Sequence, residues 1–287
     1  MKKILITGAY SYIGMSFESW LNQWPEMYSV DTIDMIGDSW KKKDFSEYDV
    51  IFHVAGIAHV SSDPKKKELY YRVNRDLAID TAKKAKAEGI KQFIFMSSII
   101  VYGECGKIGQ KKVINKNTIP KPSNFYGDSK LQAEKGILLL KSDNFKIVIL
   151  RPPMIYGNGS KGNYPKLVKV AQILPIFPDI DNKRSMLHID NLCQFIKLMI
   201  DNDESGLFFP QNLEYIKTSE MVRLIAKQYG KNVKLISIFN IILKLMGSKF
   251  KIINKVFGNF VYDKIMSDYK EEYRVKTLRE SIDMMGE

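Results

Sequence analysis

The sequence predicts an α/β fold, a parallel sheet flanked by helices and followed by a smaller C-terminal lobe. Three observations predict it. A short apolar run at the start leads straight into a glycine turn. Apolar runs then alternate with longer amphipathic stretches over the first 150 residues, and the texture changes after Arg151. Short apolar runs separated by helical stretches are the pattern of βαβ units, whose strands are buried on both faces. At 287 residues, 45% apolar and 26% charged, the chain can bury a large core.

The first strand is "KILIT", residues 3–7. The basic start of the chain superficially resembles a leader, but its apolar core is only Ile4, Leu5 and Ile6, so a cytoplasmic protein is expected. No apolar run approaches the ~18 residues of a membrane span. "SVDTID", "DVIFHVA", "KQFIFMSS" and "FKIVILR" read as four further strands, with "GMSFESWLNQW" and "RVNRDLAIDTAKKAKAEG" as helices between them. Gly89 is a suitable C-terminal cap for the second helix. The connection over 34–49 is too short for a full crossover helix.

Beyond Arg151, "RPPMIYGNGSKGNYP" reads as an irregular segment leaving the sheet, and "SEMVRLIAKQYG" as a later helix. The stretch 236–260, including "FNIILKLMG", is apolar, basic and aromatic. A lid or packing element of the second lobe is preferred there to an interfacial amphipathic helix. The expected division is 1–153 plus roughly 186–204 for the sheet domain, and roughly 154–185 plus 205–287 for the lobe.

Composition narrows the classes of function. Two cysteines, Cys105 and Cys193, make no disulfide framework. His53, His59 and His188 form no ligand spacing with cysteine or acid pairs, so no metal is expected. The net charge is +12, but the lysine clusters at 41–43, 65–67 and 111–112 are short, scattered and mixed with acids. They read as a solvated surface more than as a nucleic-acid or lipid-binding face.

The turn "TGAYSYIG", residues 7–14, has the frame of a Rossmann-like dinucleotide site: strand, tight turn at Gly8, then a helix whose free amides favour a pyrophosphate. Gly14 lets that helix pack closely on the sheet. Ser11 stands where a middle glycine is usual, adding a Cβ but also a hydroxyl able to donate to a phosphate oxygen. Backbone contacts at Tyr12 and Ile13 complete the turn. Asp34 ends the second strand about twenty residues later, where a carboxylate accepts from a ribose 2′-OH and repels a 2′-phosphate. NAD is therefore expected over NADP, with Asp38 a further candidate at the adenine edge.

"NFYGDSK" places Tyr126 and Lys130 four residues apart, on one face of a helix. An ammonium there stabilises tyrosinate and lowers the tyrosine pKa. Upstream, "FIFMSSIIVYG" delivers Ser97 and Ser98 at the carboxyl end of a buried strand, where open parallel sheets bind ligands. Serine can bond a substrate oxygen while Tyr126 moves a proton and a nicotinamide moves a hydride.

"TGAYSYIG", "DVIFHVAG", "SSIIVYG", "YGDSK", "LRPPMIYG" and "RSMLHIDN" occur in the order and approximate spacing of the extended short-chain dehydrogenase/reductases. The chain resembles that nucleotide-sugar epimerase, dehydratase and reductase family over roughly residues 3–230. "KQFIFMSS", "RPPMIYG", "LPIFP" and "FGNFVYD" are similar to bacterial capsular-polysaccharide members acting at C4 of UDP-N-acetylhexosamines. The resemblance implies that Tyr126 is the acid/base, that Lys130 tunes it and holds the nicotinamide ribose, and that Ser98 assists at the sugar oxygen. It puts the backbone of Ala55 and Gly56 beneath the cofactor, and Asn163 and Arg184 on the nucleotide diphosphate. For Asn74 and His188 it implies structural roles, and for Tyr102 packing near the site. Ser11, Ala58 and Met154 depart from the family pattern and bear on cofactor retention and sugar pose.

The triad suits two reactions, reduction of a UDP-4-keto-6-deoxy-N-acetylhexosamine and 4-epimerisation of a UDP-hexose. Compact length, the short second βα region and the capsule likeness favour reduction. Dehydration is disfavoured because "SII" lacks the family's acidic pair. The alternative of another class is a noncatalytic NAD(H)-binding sensor or scaffold, which the intact Ser98, Tyr126 and Lys130 argue against. A nucleotide-sugar substrate and a homodimer through the Tyr126 helix are the expected partners.

Overall fold

The computed structural model describes residues 1–58, 63–247 and 251–284. Its order opens with β1 (Lys2–Thr7), α1 (Tyr12–Leu21), β2 (Tyr28–Ile33), β3 (Val50–His53), α2 (Lys67–Tyr70), α3 (Leu77–Ala87) and β4 (Gln92–Met96). It continues with β5 (Val113–Ile114), α4 (Phe125–Leu138), β6 (Lys146–Leu150), β7 (Met154–Tyr156), α5 (Tyr164–Ile173), β8 (Ile176–Pro178) and β9 (Met186–His188). The rest is α6 (Ile189–Asp201), β10 (Gly206–Phe208), α7 (Thr218–Gln228), β11 (Lys234–Ile236), α8 (Asn240–Gly247), α9 (Lys251–Phe257), β12 (Val261–Tyr262) and α10 (Leu278–Asp283).

The central sheet has six strands in the order β10-β6-β4-β3-β1-β2, and every pairing is parallel. All five strands read from the sequence are in it. The sixth, Gly206–Phe208, is too short to stand out as an apolar run. Side chains alternate across the sheet as the strand period requires. Ile4, Ile6, Phe52 and Ile94 pack on one face with Phe17 of α1 and Leu192 and Ile196 of α6. Leu5, Ile51, Phe93 and Phe95 pack on the other with Ala78 and Ala82 of α3 and Ala133 and Ile137 of α4.

Strand order reverses at β1, which lies between β2 and β3. Thr7 pairs in register with Ile33 on one side and His53 on the other, so three carboxyl ends are level. The crevice for a ligand opens at such a reversal. As expected, no crossover helix joins β2 to β3. One 3-10 turn, Ser39–Lys42, fills the gap, anchored by buried Trp40. A π-helical turn over Tyr71–Asp76 joins α2 to α3 and buries Asn74, which helical periodicity alone does not announce.

The stretch 236–260 packs through Leu243, Ile253, Val256 and Phe257 onto a cluster with Phe177, Ile216 and Met221. Most apolar side chains of α8 nevertheless lie at the surface, including Ile241 and Ile242.

A buried polar network ties the sheet to α4. Arg151, directly after β6, forks onto Glu134 of α4, its Nε 3.0 Å and 3.2 Å from the two carboxylate oxygens. Its Nη1 donates to the Tyr102 hydroxyl at 2.7 Å, and Ser97 donates to Glu134. Removing one partner of such a pair strands the other charge in low dielectric, at a cost of about 3–5 kcal/mol, whereas replacing both by apolar groups can be nearly neutral. Glu134→Ala should therefore lose that much in urea unfolding, and Glu134→Met with Arg151→Met should recover most of it. A loss below about 1 kcal/mol for the single change would remove the network as an anchor.

Candidate active site

The turn after β1 is built on glycine. Gly8 has φ +103°, and a Cβ on it would lie 2.8 Å from the Ala55 amide nitrogen after β3. A side chain would thus force the two strand ends apart. Ser11 is the N-cap of α1: its Oγ accepts from the Gly14 amide at 3.1 Å, and its carbonyl from Met15. This accounts for a serine at the usual glycine position, because the hydroxyl satisfies one orphan donor while its own proton remains available. The amides of Tyr12 and Ile13 belong to the first helical turn, which lacks intrahelical acceptors and carries the positive end of the helix dipole. The Tyr12 side chain turns away from them. Its hydroxyl would lie 2.7 Å from a Cβ on Gly157 and has no partner among the described residues.

Asp34 is exposed just past β2, with Oδ1 accepting from the Ile36 amide at 3.0 Å. Asp38 is exposed too, but its carboxylate meets Lys41 at 2.7 Å. Ala55 and Gly56 follow β3. Buried Asn74 clamps their loop, accepting from the Ile57 amide at 2.8 Å and donating to the Ile57 carbonyl at 3.0 Å. A Cβ on Gly56 would lie 3.3 Å from Lys130 Nζ, so the loop rests directly on that ammonium. A dinucleotide fits this donor set: helix amides and a serine hydroxyl for phosphates, a carboxylate for a ribose, and a buried cation beneath the loop.

The second group is assembled by β4 and α4. Ser98 caps the 3-10 turn Ile99–Tyr102, its Oγ accepting from the Ile100 amide at 3.3 Å. Asn124 caps α4 by accepting from the Gly127 amide at 2.9 Å, which sets Tyr126 in the first turn. The Ser98 hydroxyl neighbours the Tyr126 phenol and favours its ionised form. The Tyr126 ring meets Tyr70 edge-on at 5.8 Å between centroids. Lys130, one turn on and buried, donates to the Met96 carbonyl at 2.8 Å and lies 4.7 Å from the centre of the Phe95 ring.

The electrostatics differ from the expectation. Burial pushes Tyr126 up to about 12, with the Ser98 hydrogen bond pulling the other way. Burial also pushes Lys130 down to about 8, opposed by the Glu134 charge. The ammonium is turned to the Met96 carbonyl, and desolvation outweighs it, so the phenol is raised where the spacing predicts a lowered value.

Three residues escaped the sequence reading. Glu134 and Arg151 form, with Ser97, the buried network under the site. Gly127 is the third: a Cβ on it would lie 2.7 Å from the Ile100 carbonyl oxygen, so this glycine lets α4 approach the turn that carries Ser98. A glycine inside the helix of "YGDSK" was the available signal.

Asn163 and Arg184 meet in a cavity of about 150 Å³, also lined by Met154, Lys166, Ile252 and Lys255. Arg184 Nη1 lies 2.8 Å from Cys105 Sγ and 3.1 Å from the Lys255 carbonyl. His188 caps α6, accepting from the Asp190 amide at 3.3 Å, in line with a structural role. The Tyr102 hydroxyl is taken by Arg151. His59 lies outside the described residues.

Lys130 offers a direct check. Its folded pKa is below the ordinary 10.5, so the unfolded chain binds the extra proton between pH 10.5 and about 8. Stability should then rise with pH across that window, by roughly 1.4 kcal/mol per pH unit from this group, and the penalty should be complete below pH 8. Lys130→Met should lack this slope when unfolding is compared with the parent at each pH. Parallel curves for the two proteins would contradict the burial of a charged ammonium.

The chain is 32% identical over 248 residues to a Vibrio cholerae UDP-glucose 4-epimerase, covering 78% of this chain and 75% of that protein. Over 149 residues it is 30% identical to the N-acetyl-alpha-D-glucosaminyl-diphospho-ditrans,octacis-undecaprenol 4-epimerase of Escherichia coli O157:H7, covering 50% and 44%. Among solved structures, UDP-glucuronic acid 4-epimerase from Bacillus cereus with NAD shares the fold at TM-score 0.74 and 20% identity, covering 99% of this chain and 95% of that one. Residues 4–208 match the NAD dependent epimerase/dehydratase family, and the chain is an enzyme belonging to that family.

Proposed function

We propose that the protein reduces the C4 ketone of a UDP-4-keto-6-deoxy-N-acetylhexosamine, as a step in building a capsule or other surface polysaccharide. The observations that carry this reading are the short β2–β3 connection, which suits a cofactor exchanged at every turnover, and a Tyr126 phenol placed beside Ser98 where it can give up its proton. Reduction needs an acid at the ketone oxygen, whereas the first half of an epimerisation needs a tyrosinate base at the C4 hydroxyl. NADH, when bound, would supply the hydride that C4 receives. The Ser98 hydroxyl donates to the C4 oxygen as negative charge grows there, and Tyr126 transfers its proton to it, leaving a C4 hydroxyl and a tyrosinate. The Lys130 ammonium, one helical turn away, offsets the tyrosinate charge.

The thin wall over the adenosine end supports an exchangeable cofactor. β2 is the edge strand, and only the turn at Ser39–Lys42 follows it. Asp34 at its end supports NAD(H) over NADP(H). Asn163 and Arg184, with Lys166 and Lys255 beside them, supply the polar groups and cations that a diphosphate needs. The apolar cluster around Phe177, Ile216 and Met221 supports assigning this cavity to a substrate lobe, and α4 is the candidate dimer surface.

A second reading, 4-epimerisation of a UDP-hexose, is favoured by the Vibrio relative. Mass spectrometry of the purified protein separates the two. The reductase reading expects an empty cofactor site, and NADH consumption with a UDP-4-keto sugar. Stoichiometric retained NAD⁺ with interconversion of a UDP-hexose pair would reverse the choice, and neither activity with NADH still bound would point to a noncatalytic sensor.

Tyr126→Phe should lower turnover by about 10²–10⁴-fold, with NADH binding measured by fluorescence nearly intact. Loss of both together would make Tyr126 structural. Gly127→Ala should lower kcat roughly 10-fold or more with little change in KM, because it displaces Ser98 relative to Tyr126 without touching the cavity. Unchanged kcat would mean that α4 and the Ile100 turn accommodate the extra carbon.

A further inference from the structure

The surface of α8 is an outlier on this molecule. Ile241 is 73% exposed, and Ile242 and Met246 on the same short helix are exposed as well. Ile238 and Phe239 precede them at the surface, and Ile252 of α9, 70% exposed, follows. Leu243 is the side chain of α8 that joins the underlying apolar cluster. Within α8 the exposed Ile242 and Met246 are four apart and share one face, beside Ile241. Large aliphatic groups grouped in this way on a soluble protein mark an interaction site.

The charge around them selects the partner. From residue 231 to 262 there are six lysines, at 231, 234, 244, 249, 251 and 255, and no aspartate or glutamate. A second copy of the chain would bring these like charges together, which opposes self-association. A nucleic acid is met by arginine and stacking aromatics, whereas the side chains here are mainly aliphatic. Protruding aliphatic residues within a lysine-rich, acid-free segment match an anionic lipid surface: the apolar groups enter the headgroup–acyl boundary and the ammonium groups meet phosphates.

We propose that the face formed by 238–247 and 252–255 docks the protein reversibly onto an anionic phospholipid membrane. Ile252 and Lys255 line the Asn163–Arg184 cavity as well as belonging to α9, so docking holds the rim of that cavity at the bilayer. The reading of the lysine clusters at 41–43, 65–67 and 111–112 as a solvated surface is unaffected, since those are mixed with acids and this segment is not. The inference is independent of which C4 reaction the enzyme performs.

Co-sedimentation of the full chain with vesicles tests it, using phosphatidylcholine alone and an equimolar mixture with phosphatidylglycerol. The parent should pellet with the mixed vesicles at least tenfold more than with the neutral ones. Ile241→Asp with Ile242→Asp should abolish that excess while thermal melting and NADH binding match the parent. Should that variant fail to fold, Lys244→Glu is the second probe and should weaken pelleting several-fold. Equal pelleting of parent and variants, or no preference for the anionic vesicles, overturns the proposal. So does conversion of a dimer to a monomer by the double variant with no vesicle binding by the parent, which would make the face a contact between copies.

Discussion

The buried fork of Arg151 on Glu134 is the constraint on which the site depends. Arg151 directly follows β6, Glu134 lies one turn beyond Lys130 on α4, and Ser97, directly after β4, donates to the same carboxylate. Three chain segments thus share one charge pair, and their separations are set by hydrogen-bond length. Ser98 follows Ser97 directly, and Tyr126 and Lys130 precede Glu134 on one helix. The geometry between serine, tyrosine and lysine is therefore inherited from a network that touches none of their reacting atoms. A bidentate guanidinium–carboxylate pair is suited to this because it fixes orientation as well as distance.

Glycine supplies the complementary condition. The network pulls α4 toward the sheet, and Gly127 removes the Cβ that would stop it at the Ile100 carbonyl. Gly8 and Gly56 act similarly on the cofactor side, one against Ala55 and the other above Lys130. Asn74 then closes the loop between them through the backbone of Ile57. Close approach and polar clamping work together here: the first brings backbones within reach, and the second keeps them from sliding.

What was legible in the sequence follows from this division. Strand identity, the cofactor turn and the Tyr126–Lys130 spacing are local patterns, and periodicity or a short motif reports them. Ser11 was legible as an oddity, but its service as a helix cap needed the direction of its hydroxyl. Glu134 and Arg151 were not legible as a pair, because a carboxylate on a helix and an arginine after a strand each read as surface charge. Only the sheet order brings them together, with β4 and β6 adjacent. The π-helical turn at Tyr71–Asp76 was hidden for a related reason. Its extra residue per turn serves the burial of Asn74, a tertiary contact with no periodic signature.

The raised Tyr126 and lowered Lys130 are two consequences of one cause. Lys130 is buried and Tyr126 half-buried beside the carboxyl end of β4, and desolvation penalises whichever form is charged. Motif spacing alone predicts the opposite for the phenol, since it counts the neighbouring ammonium and ignores the lost hydration. With Lys130 committed to the Met96 carbonyl, the neutral phenol is the resting form and an anion there is costly. Proton loss then has to coincide with an event that repays the charge, such as arrival of negative charge on a sugar oxygen that takes the proton. An acid so arranged holds its proton until a compensating charge arrives beside it.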